Sequence, residues 1–196
     1  MSLNVLIIAE DYRNDQYILK PIVNSMLECV GKPHANVRVC RDPMIGGIED
    51  ALDPDTLEDV ILTNPLFDLY LLLVDRDAEP NRGERLTDAE EDASASTRPN
   101  QAFLAGQAHQ EVEVWLLAGQ NDVPGKWNWN WEAVRTERQA KERYYEPYVE
   151  QKTLTNSPGG GRKPLGQNAG ANYADRVRRL CDEVQVLEDR VGKAVT

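Results

Sequence analysis

The sequence predicts an α/β fold: a mainly parallel sheet of about four or five strands, flanked by helices and followed by a C-terminal helical extension. Leu69–Val74 is a run of six apolar or aromatic residues, and Leu3–Ala9 is nearly as apolar. Short apolar runs of this kind are typical of strands that are covered on both faces, as in parallel sheets. Helical patterns alternate with these runs, which indicates right-handed β–α–β units.

The first half of the chain carries a regular series of elements. A helix is predicted where apolar residues recur at three- and four-residue steps, with Asn14 or Asp15 as its N-cap and Gly31 at its end. The predicted elements, in order, are a strand at Leu3–Ala9, a helix over residues 15–30, a strand at Asn36–Cys40, a helical segment over residues 48–63 broken near Pro54, and the central strand Leu69–Val74.

The segment after the central strand is less regular. Residues 78–98 are rich in Asp, Glu, Ser and Ala, and part of this stretch is predicted to be a surface helix. Glu111–Leu117 begins with strict alternation and is predicted as a fourth strand. Glu113 would then point towards one face of the sheet. It would need a metal or a basic partner if that face is buried, and none if it lies at an exposed strand start.

The composition changes near Pro124, which suggests a core over residues 1–125 and a Trp-rich, basic helical extension over residues 126–196, packed on the core. Helices are predicted over residues 131–146, ending before Pro147, and over residues 171–192. Trp127, Trp129 and Trp131 could stack on nucleic-acid bases or anchor a loop on the core. The Gly-rich loop that follows lacks the Gly-Lys-Ser/Thr ending of a phosphate-binding P-loop.

The overall composition is that of a globular protein with one domain of ordinary size. The chain has 196 residues, and no apolar run is long enough to span a bilayer. The N-terminus passes directly into a strand pattern without a signal sequence, so a cytoplasmic location is expected. The three cysteines are expected to be reduced, and no His/Cys spacing suggests zinc, so any bound metal would have oxygen ligands.

Charge is unevenly distributed along the chain. Residues 1–125 hold 9 Lys/Arg and 23 Asp/Glu, a net charge of −14, whereas residues 126–196 hold 13 and 10, a net charge of +3. An acidic half with a metal site and a basic half could together hold a phosphodiester. The alternative is that both are ordinary solvated faces.

Acidic residues follow two of the predicted strands. Glu10 comes after the first strand, and Asp75 and Asp77 come after the central strand. The carboxyl ends of parallel strands share one edge of a sheet, where ligands of open α/β sheets bind, so these carboxylates are expected to lie together. Crowded carboxylates repel one another unless a divalent cation neutralises them, and such a cation can activate water and polarise a phosphoryl oxygen. The alternative is that Asp75 and Asp77 cap the next helix or solvate a turn.

A strand ending in Glu, followed by an apolar strand ending in Asp-x-Asp, resembles the TOPRIM fold of topoisomerases, primases and related nucleases. The Glu111–Leu117 segment and the Gly-rich, basic tail resemble the small stand-alone TOPRIM proteins of prokaryotes, akin to the nuclease domain of the overcoming-lysogenization-defect family. Asp75-Arg76-Asp77-Ala78-Glu79-Pro80 differs from the longer Asp-x-Asp-x-x-Gly pattern of several members.

The resemblance implies a TOPRIM/Rossmann-like sheet and a magnesium- or manganese-dependent nuclease that cleaves DNA or RNA, in phage defence or DNA repair, beside an ATPase partner. It further implies a metal held by Glu10, Asp75 and Asp77. Glu113 would be a further catalytic acid, and nucleic acid would contact Lys152, Arg162 and Lys163.

Two other functions are compatible with the same residues. A receiver domain of two-component signalling would use Glu10 and Asp11 as its acidic pair and Asp75 as the phosphoacceptor, again with magnesium. The distance in sequence between Glu10 and Asp75 is long for that compact domain, and no lysine ends a fifth strand. The third hypothesis is an interaction module that retains the acidic pocket without catalysis.

Overall fold

The computed structural model describes residues 2–196 and has an α/β architecture, which confirms the predicted fold class. Four strands form one all-parallel sheet in the order β2-β1-β3-β4. Their bounds are Asn4–Ala9 (β1), Asn36–Val39 (β2), Leu69–Val74 (β3) and Ala102–Gln107 (β4). This strand order places β1 and β3 in the centre of the sheet. Helices cover both faces of the sheet.

The two central strands are buried on both faces because their side chains alternate between two apolar cores. Ile7 and Leu71 are register partners and face one core, whereas Ile8 and Leu72 are the next pair and face the other. All six residues of β3 are buried. This explains why the central strands read as continuous apolar runs instead of alternating ones.

Ten α-helical segments are present in residues 2–196. They are Tyr12–Cys29 (α1), Ile48–Ala51 (α2), Pro54–Thr63 (α3), Arg82–Ala95 (α4), Glu113–Ala118 (α5), Trp131–Thr136 (α6), Glu146–Gln151 (α7), Arg162–Ala171 (α8), Arg178–Leu180 (α9) and Asp182–Ala194 (α10). A 3-10 turn forms at Gly125–Trp127, and π-helical segments form at Lys141–Tyr145 and Tyr173–Val177. Among these residues, no helix combines the length and apolar character needed to cross a bilayer.

The predicted fourth strand at Glu111–Leu117 is wrong. The fourth strand is β4, and the apolar part of Glu111–Leu117 lies in α5, all six residues of which are buried. A short, fully buried helix and a buried strand give the same apolar run, so periodicity could not separate them. The sequence of β4, Ala-Phe-Leu-Ala-Gly-Gln, lacks a strong strand signal, and β4 forms through its pairing with β3.

Several predicted boundaries also differ from the structure. Asp11, rather than Asn14 or Asp15, caps α1, since its side chain accepts a hydrogen bond from the Arg13 N–H. The helix predicted over residues 131–146 is interrupted after α6, and α7 contains Pro147 in its first turn, where a missing N–H costs little. The helix predicted over residues 171–192 is divided into α9, α10 and a π-helical segment.

The three tryptophans before and in α6 pack on the core. The Trp127 and Trp129 ring centroids lie 4.9 Å apart, and Trp127 is 4.9 Å from Tyr148. The Trp131 indole N–H donates to the Leu180 carbonyl at 3.0 Å. All three rings are partly buried against the larger core, which favours the anchor over a free stacking platform.

Helix α8 packs closely on α1, and small residues make this contact possible. A Cβ atom added at Gly166 would lie 1.8 Å from the Tyr17 carbonyl oxygen of α1, and one at Gly170 would lie 2.9 Å from the Pro21 oxygen. Real side chains cannot approach backbone so closely without moving one of the helices. The two glycines therefore set the distance at which the C-terminal region lies on α1.

Replacing Gly166 with Ala is expected to lower the free energy of unfolding by about 2 kcal/mol, because α8 must move away from α1. Gly192→Ala in α10 is a matched control. Its Cβ would lie 3.5 Å from Val30, an ordinary contact, so a gain of about 0.5 kcal/mol from helix propensity is expected. Urea unfolding followed by circular dichroism measures both changes. Equal effects for the two variants would contradict the proposed role of Gly166.

Candidate functional site

The ends of β1 and β3 bring Glu10 and Asp75 together. Ala9 and Leu73 are register partners in these neighbouring parallel strands, so the residues that follow leave the sheet at the same edge. The Asp75 backbone N–H donates a hydrogen bond to Glu10 Oε1 at 2.9 Å. The Glu10 carboxylate therefore lies against the backbone of Asp75 although 64 residues separate them in the sequence.

Asp75 also fixes the start of α5. Its Oδ1 accepts a hydrogen bond from the Val112 N–H at 2.8 Å, and Glu113 is the next residue. Glu113 is only 4% exposed, and its carboxylate forms an ion pair with Arg162, the first residue of α8. The Arg162 guanidinium lies over the Tyr145 ring, 5.0 Å from its centroid. Glu113 thus approaches the strand ends from the first turn of α5. Its ion-pair partner is Arg162, a basic residue, as one of the two predicted alternatives required.

Asp77 lies in a strained loop beside these residues. Asp77 and Ala78 both have positive φ angles, 53° and 56°, which are uncommon for residues other than glycine. Gln110 holds this conformation, since its backbone oxygen accepts from the Asp77 N–H at 3.3 Å and its side-chain oxygen accepts from the Ala78 N–H at 2.9 Å. Such strain persists where surrounding structure enforces it, often at functional sites.

The site also contains Asp15, for which the sequence predicts only a role as a helix cap. Asp15 lies in the first turn of α1, and its Oδ2 accepts a hydrogen bond from the Asp11 N–H at 3.3 Å. The charge of Asp15 contributes to the raised pKa of Asp75, and the charge of Glu113 contributes to the raised pKa of Asp15. The sequence does contain a signal for Asp15. The helix that follows the first strand starts near Glu10, so an acid in its first turn lies close to the end of that strand.

Burial and mutual repulsion raise the pKa of several of these acids. Burial is the largest cause for Asp75, whose pKa is raised well above its usual range, with further contributions from Glu113, Asp15 and Glu10. Burial and then Glu113 raise the pKa of Asp15 to about 7. Burial also raises the pKa of Glu10, and the charge of Asp77 adds to this effect.

Glu111 completes the group on the side of the C-terminal region. Its pKa is raised to about 7, first by burial and then by the charges of Glu113, Glu142 and Asp77. Its Oε2 accepts a hydrogen bond from the backbone N–H of Lys141 at 2.6 Å. We call the six acids the carboxylate cluster: Glu10, Asp15, Asp75, Asp77, Glu111 and Glu113.

The three predicted nucleic-acid contacts lie in different places. Lys152 pairs with Asp122 at 2.5 Å, and neither residue belongs to the carboxylate cluster. Lys163 is exposed and lines a groove with α1 residues. Arg162 is the one of the three that contacts the cluster, through Glu113. Lys141 was not predicted, but its backbone contact with Glu111 places it beside the cluster.

The cluster matches a divalent metal in donor type. Every donor is a carboxylate oxygen, which Mg²⁺ and Mn²⁺ prefer, and burial, with smaller contributions from neighbouring acids, raises the pKa of Asp15, Asp75 and Glu111. Within residues 2–196, however, no three Asp, Glu, His or Cys side chains converge as a ready metal site. The cluster therefore suits a divalent cation in the type and charge of its donors, but its side chains are not arranged around a common point.

Comparisons with known proteins identify no relative. No protein-family model matches the chain, and no curated protein and no solved structure matches it. The resemblance to TOPRIM proteins depends on the residues at the strand ends and on the Gly-rich, basic tail, because the Glu111–Leu117 segment is not a strand.

Proposed function

We propose that this chain is a TOPRIM-type enzyme that hydrolyses phosphodiester bonds of nucleic acid with Mg²⁺ or Mn²⁺. One observation carries the proposal: the ends of two neighbouring strands join Glu10 to the backbone of Asp75, and Asp75 to the start of α5, in a buried position where burial first and nearby acids second raise the pKa values. A divalent cation would relieve this repulsion. Ligand sites of open α/β sheets lie at this edge.

Glu10, Asp75 and Asp77 are the residues proposed to hold the cation, with Glu113 as a further catalytic acid. When bound, the cation would supply Lewis-acid polarisation of a phosphoryl oxygen and a more acidic water. The hydrogen bonds from Asp75 to Glu10 and from Val112 to Asp75 orient these two carboxylates before any ligand arrives. Preorganisation of this kind supports the proposal because it lowers the reorganisation needed for catalysis.

Asp15 is proposed as the proton donor to the leaving oxygen. Its pKa of about 7 means that a large fraction of its carboxyl groups carries a proton at neutral pH, unlike an ordinary aspartate. Its position in the first turn of α1 leaves it beside Asp75 but outside the strand ends. In this step the proton would move from an Asp15 carboxyl oxygen to the leaving oxygen of the phosphodiester.

The C-terminal region is proposed to bind the nucleic-acid backbone. Residues 126–196 have a net charge of +3, and Lys141 and Arg162 from this region lie next to the carboxylate cluster. Phosphate contacts by such residues would contribute salt-dependent affinity. A role in phage defence or DNA repair, and an ATPase partner, are included in the proposal on the basis of the family resemblance alone.

Purified protein incubated with labelled single- and double-stranded DNA and RNA tests the proposal. We expect cleavage with Mg²⁺ or Mn²⁺ that stops when EDTA is added. Glu10→Gln, purified in the same way, should lose most of this cleavage, whereas Asp88→Asn on the exposed face of α4 should retain it. Cleavage that Glu10→Gln retains in full would indicate a contaminating nuclease.

The same preparations separate the other two functions. A receiver domain would take up phosphate from acetyl phosphate on Asp75 and show no cleavage. A non-catalytic module would neither cleave nor become phosphorylated. Either result would refute the proposed hydrolysis.

A further inference from the structure

Arg82 is a buried guanidinium whose donors are largely unused. It is the first residue of α4 and follows the strained loop that carries Asp77. Its side chain is only 5% exposed, and among residues 2–196 its Nε and Nη1 atoms have no hydrogen-bond partner. Its Nη2 atom lies 3.8 Å from Asp77 Oδ2, which is longer than a hydrogen bond.

Leaving such a group without partners is costly. Buried donors that make no hydrogen bond are costly, so two of them on one guanidinium in a native fold call for a specific explanation. Arg85, about one turn further along α4, shows how an arginine of this helix is normally hydrogen-bonded. Its two terminal nitrogens donate to Glu49 at 3.1 and 2.8 Å. The fold therefore gives Arg85 two charge-assisted hydrogen bonds and gives Arg82 only the longer ion pair with Asp77.

The position of Arg82 indicates what its missing partner is. The guanidinium lies beside Asp77, and its charge also acts on Glu10, so it borders the carboxylate cluster. The cluster carboxylates reach no hydrogen bond with its Nε or Nη1. An anionic partner from outside the chain would match the guanidinium best, and phosphate oxygens are acceptors whose geometry the arginine fork fits.

We propose that Arg82 binds a phosphate group of the ligand at the border of the carboxylate cluster. This inference rests on the proposed function for the identification of that phosphate as part of a nucleic acid. In the free protein the guanidinium remains short of partners, so the site stores a cost in stability that ligand binding removes. Arg82 is thus a phosphate-binding residue that the sequence motifs did not indicate.

Line broadening of inorganic phosphate in ³¹P NMR tests this assignment without any cleavage. We expect the wild type and the control Arg85→Gln to bind phosphate with similar affinity. Arg82→Gln and Arg82→Met should bind at least about tenfold more weakly, as expected for the loss of a charge-assisted hydrogen bond. Thermal unfolding is measured in parallel. Near pH 5, where the raised pKa values of Glu10 and Asp75 leave less negative charge beside Arg82, both variants should be at least as stable as the wild type, because a buried guanidinium with two unused donors is removed.

Two results would overturn the inference. One is phosphate binding by Arg82→Gln equal to that of the wild type. The other is a large fall in the stability of both Arg82 variants near pH 5, which would show that the fold itself requires the guanidinium. These experiments distinguish a failure of this inference from a failure of the proposed function. Phosphate binding through Arg82 without any cleavage would refute the proposed hydrolysis alone. Unchanged KM in the Arg82 variants of an active nuclease would refute this inference alone.

Discussion

Asp75→Asn is expected to lower the cleavage rate by roughly 10²–10³-fold, as the loss of one preorganised electrostatic group does in other enzymes. Asp75 is linked to more members of the cluster than any other acid, since Glu10 accepts its N–H and the charges of Glu113, Asp15 and Glu10 all act on its carboxylate. An amide cannot carry the negative charge that a divalent cation needs. Single-turnover cleavage of a labelled oligonucleotide measures the change.

The same substitution should leave the fold intact. The carboxamide oxygen can still accept the Val112 N–H, and one negative charge is removed from a crowded group. The free energy of unfolding near pH 8 is therefore expected to rise by about 1 kcal/mol. Asp88→Asn, which alters an exposed carboxylate of α4, should change neither cleavage nor stability. Wild-type activity in Asp75→Asn would contradict the role given to this residue.

The protein without added metal is expected to be more stable near pH 5 than near pH 8, by on the order of 3 kcal/mol. The pKa values of Asp15 and Glu111 are raised to about 7 in the folded chain, and burial is the largest cause for both. Those of Glu10 and Asp75 are raised as well. Urea unfolding at a series of pH values measures the dependence.

The sign follows from proton binding. A carboxyl group with a raised pKa in the folded state holds its proton at a pH where the unfolded chain has released it. Its contribution to stability is fully present below the unfolded pKa, about 4, and is lost as the pH rises through about 7. Asp53 and Asp122 have lowered pKa values, so their contributions fall only at lower pH and do not offset this trend.

Millimolar Mg²⁺ should recover much of the lost stability near pH 8 and have little effect near pH 5, where the acids are largely protonated. Glu84→Gln, on the exposed side of α4, is a control that should leave the pH profile unchanged. Stability that increases steadily from pH 5 to pH 8 without metal would show that the carboxylates are not crowded as described.

The sheet was predictable because its central strands are buried on both faces. The apolar runs that become β1 and β3 are explicit in the sequence, and the acids that end them follow directly. Parallel pairing then requires Glu10 and Asp75 to leave at one edge. The proximity of these two residues could therefore be predicted from the local sequence pattern and the topology of the sheet.

The rest of the cluster depends on contacts between distant segments. Glu113 was assigned to a strand, but it reaches the site from α5, because Asp75 binds the N–H just before it. Arg162 and Lys141 come from the C-terminal region, whose position is set by the packing of α8 on α1. Arg82 is identified by what it lacks, and an unpartnered donor cannot be recognised without coordinates.

Manganese binding is the most direct test of whether the carboxylate cluster is a cation site. Titration of Mn²⁺ into the protein near pH 8, followed by the electron paramagnetic resonance of the free ion, counts bound ions without any assumption about the reaction. We expect saturable binding that Asp75→Asn loses and Asp88→Asn retains. No saturable binding, or equal binding by the wild type and Asp75→Asn, would contradict a metal site at these strand ends.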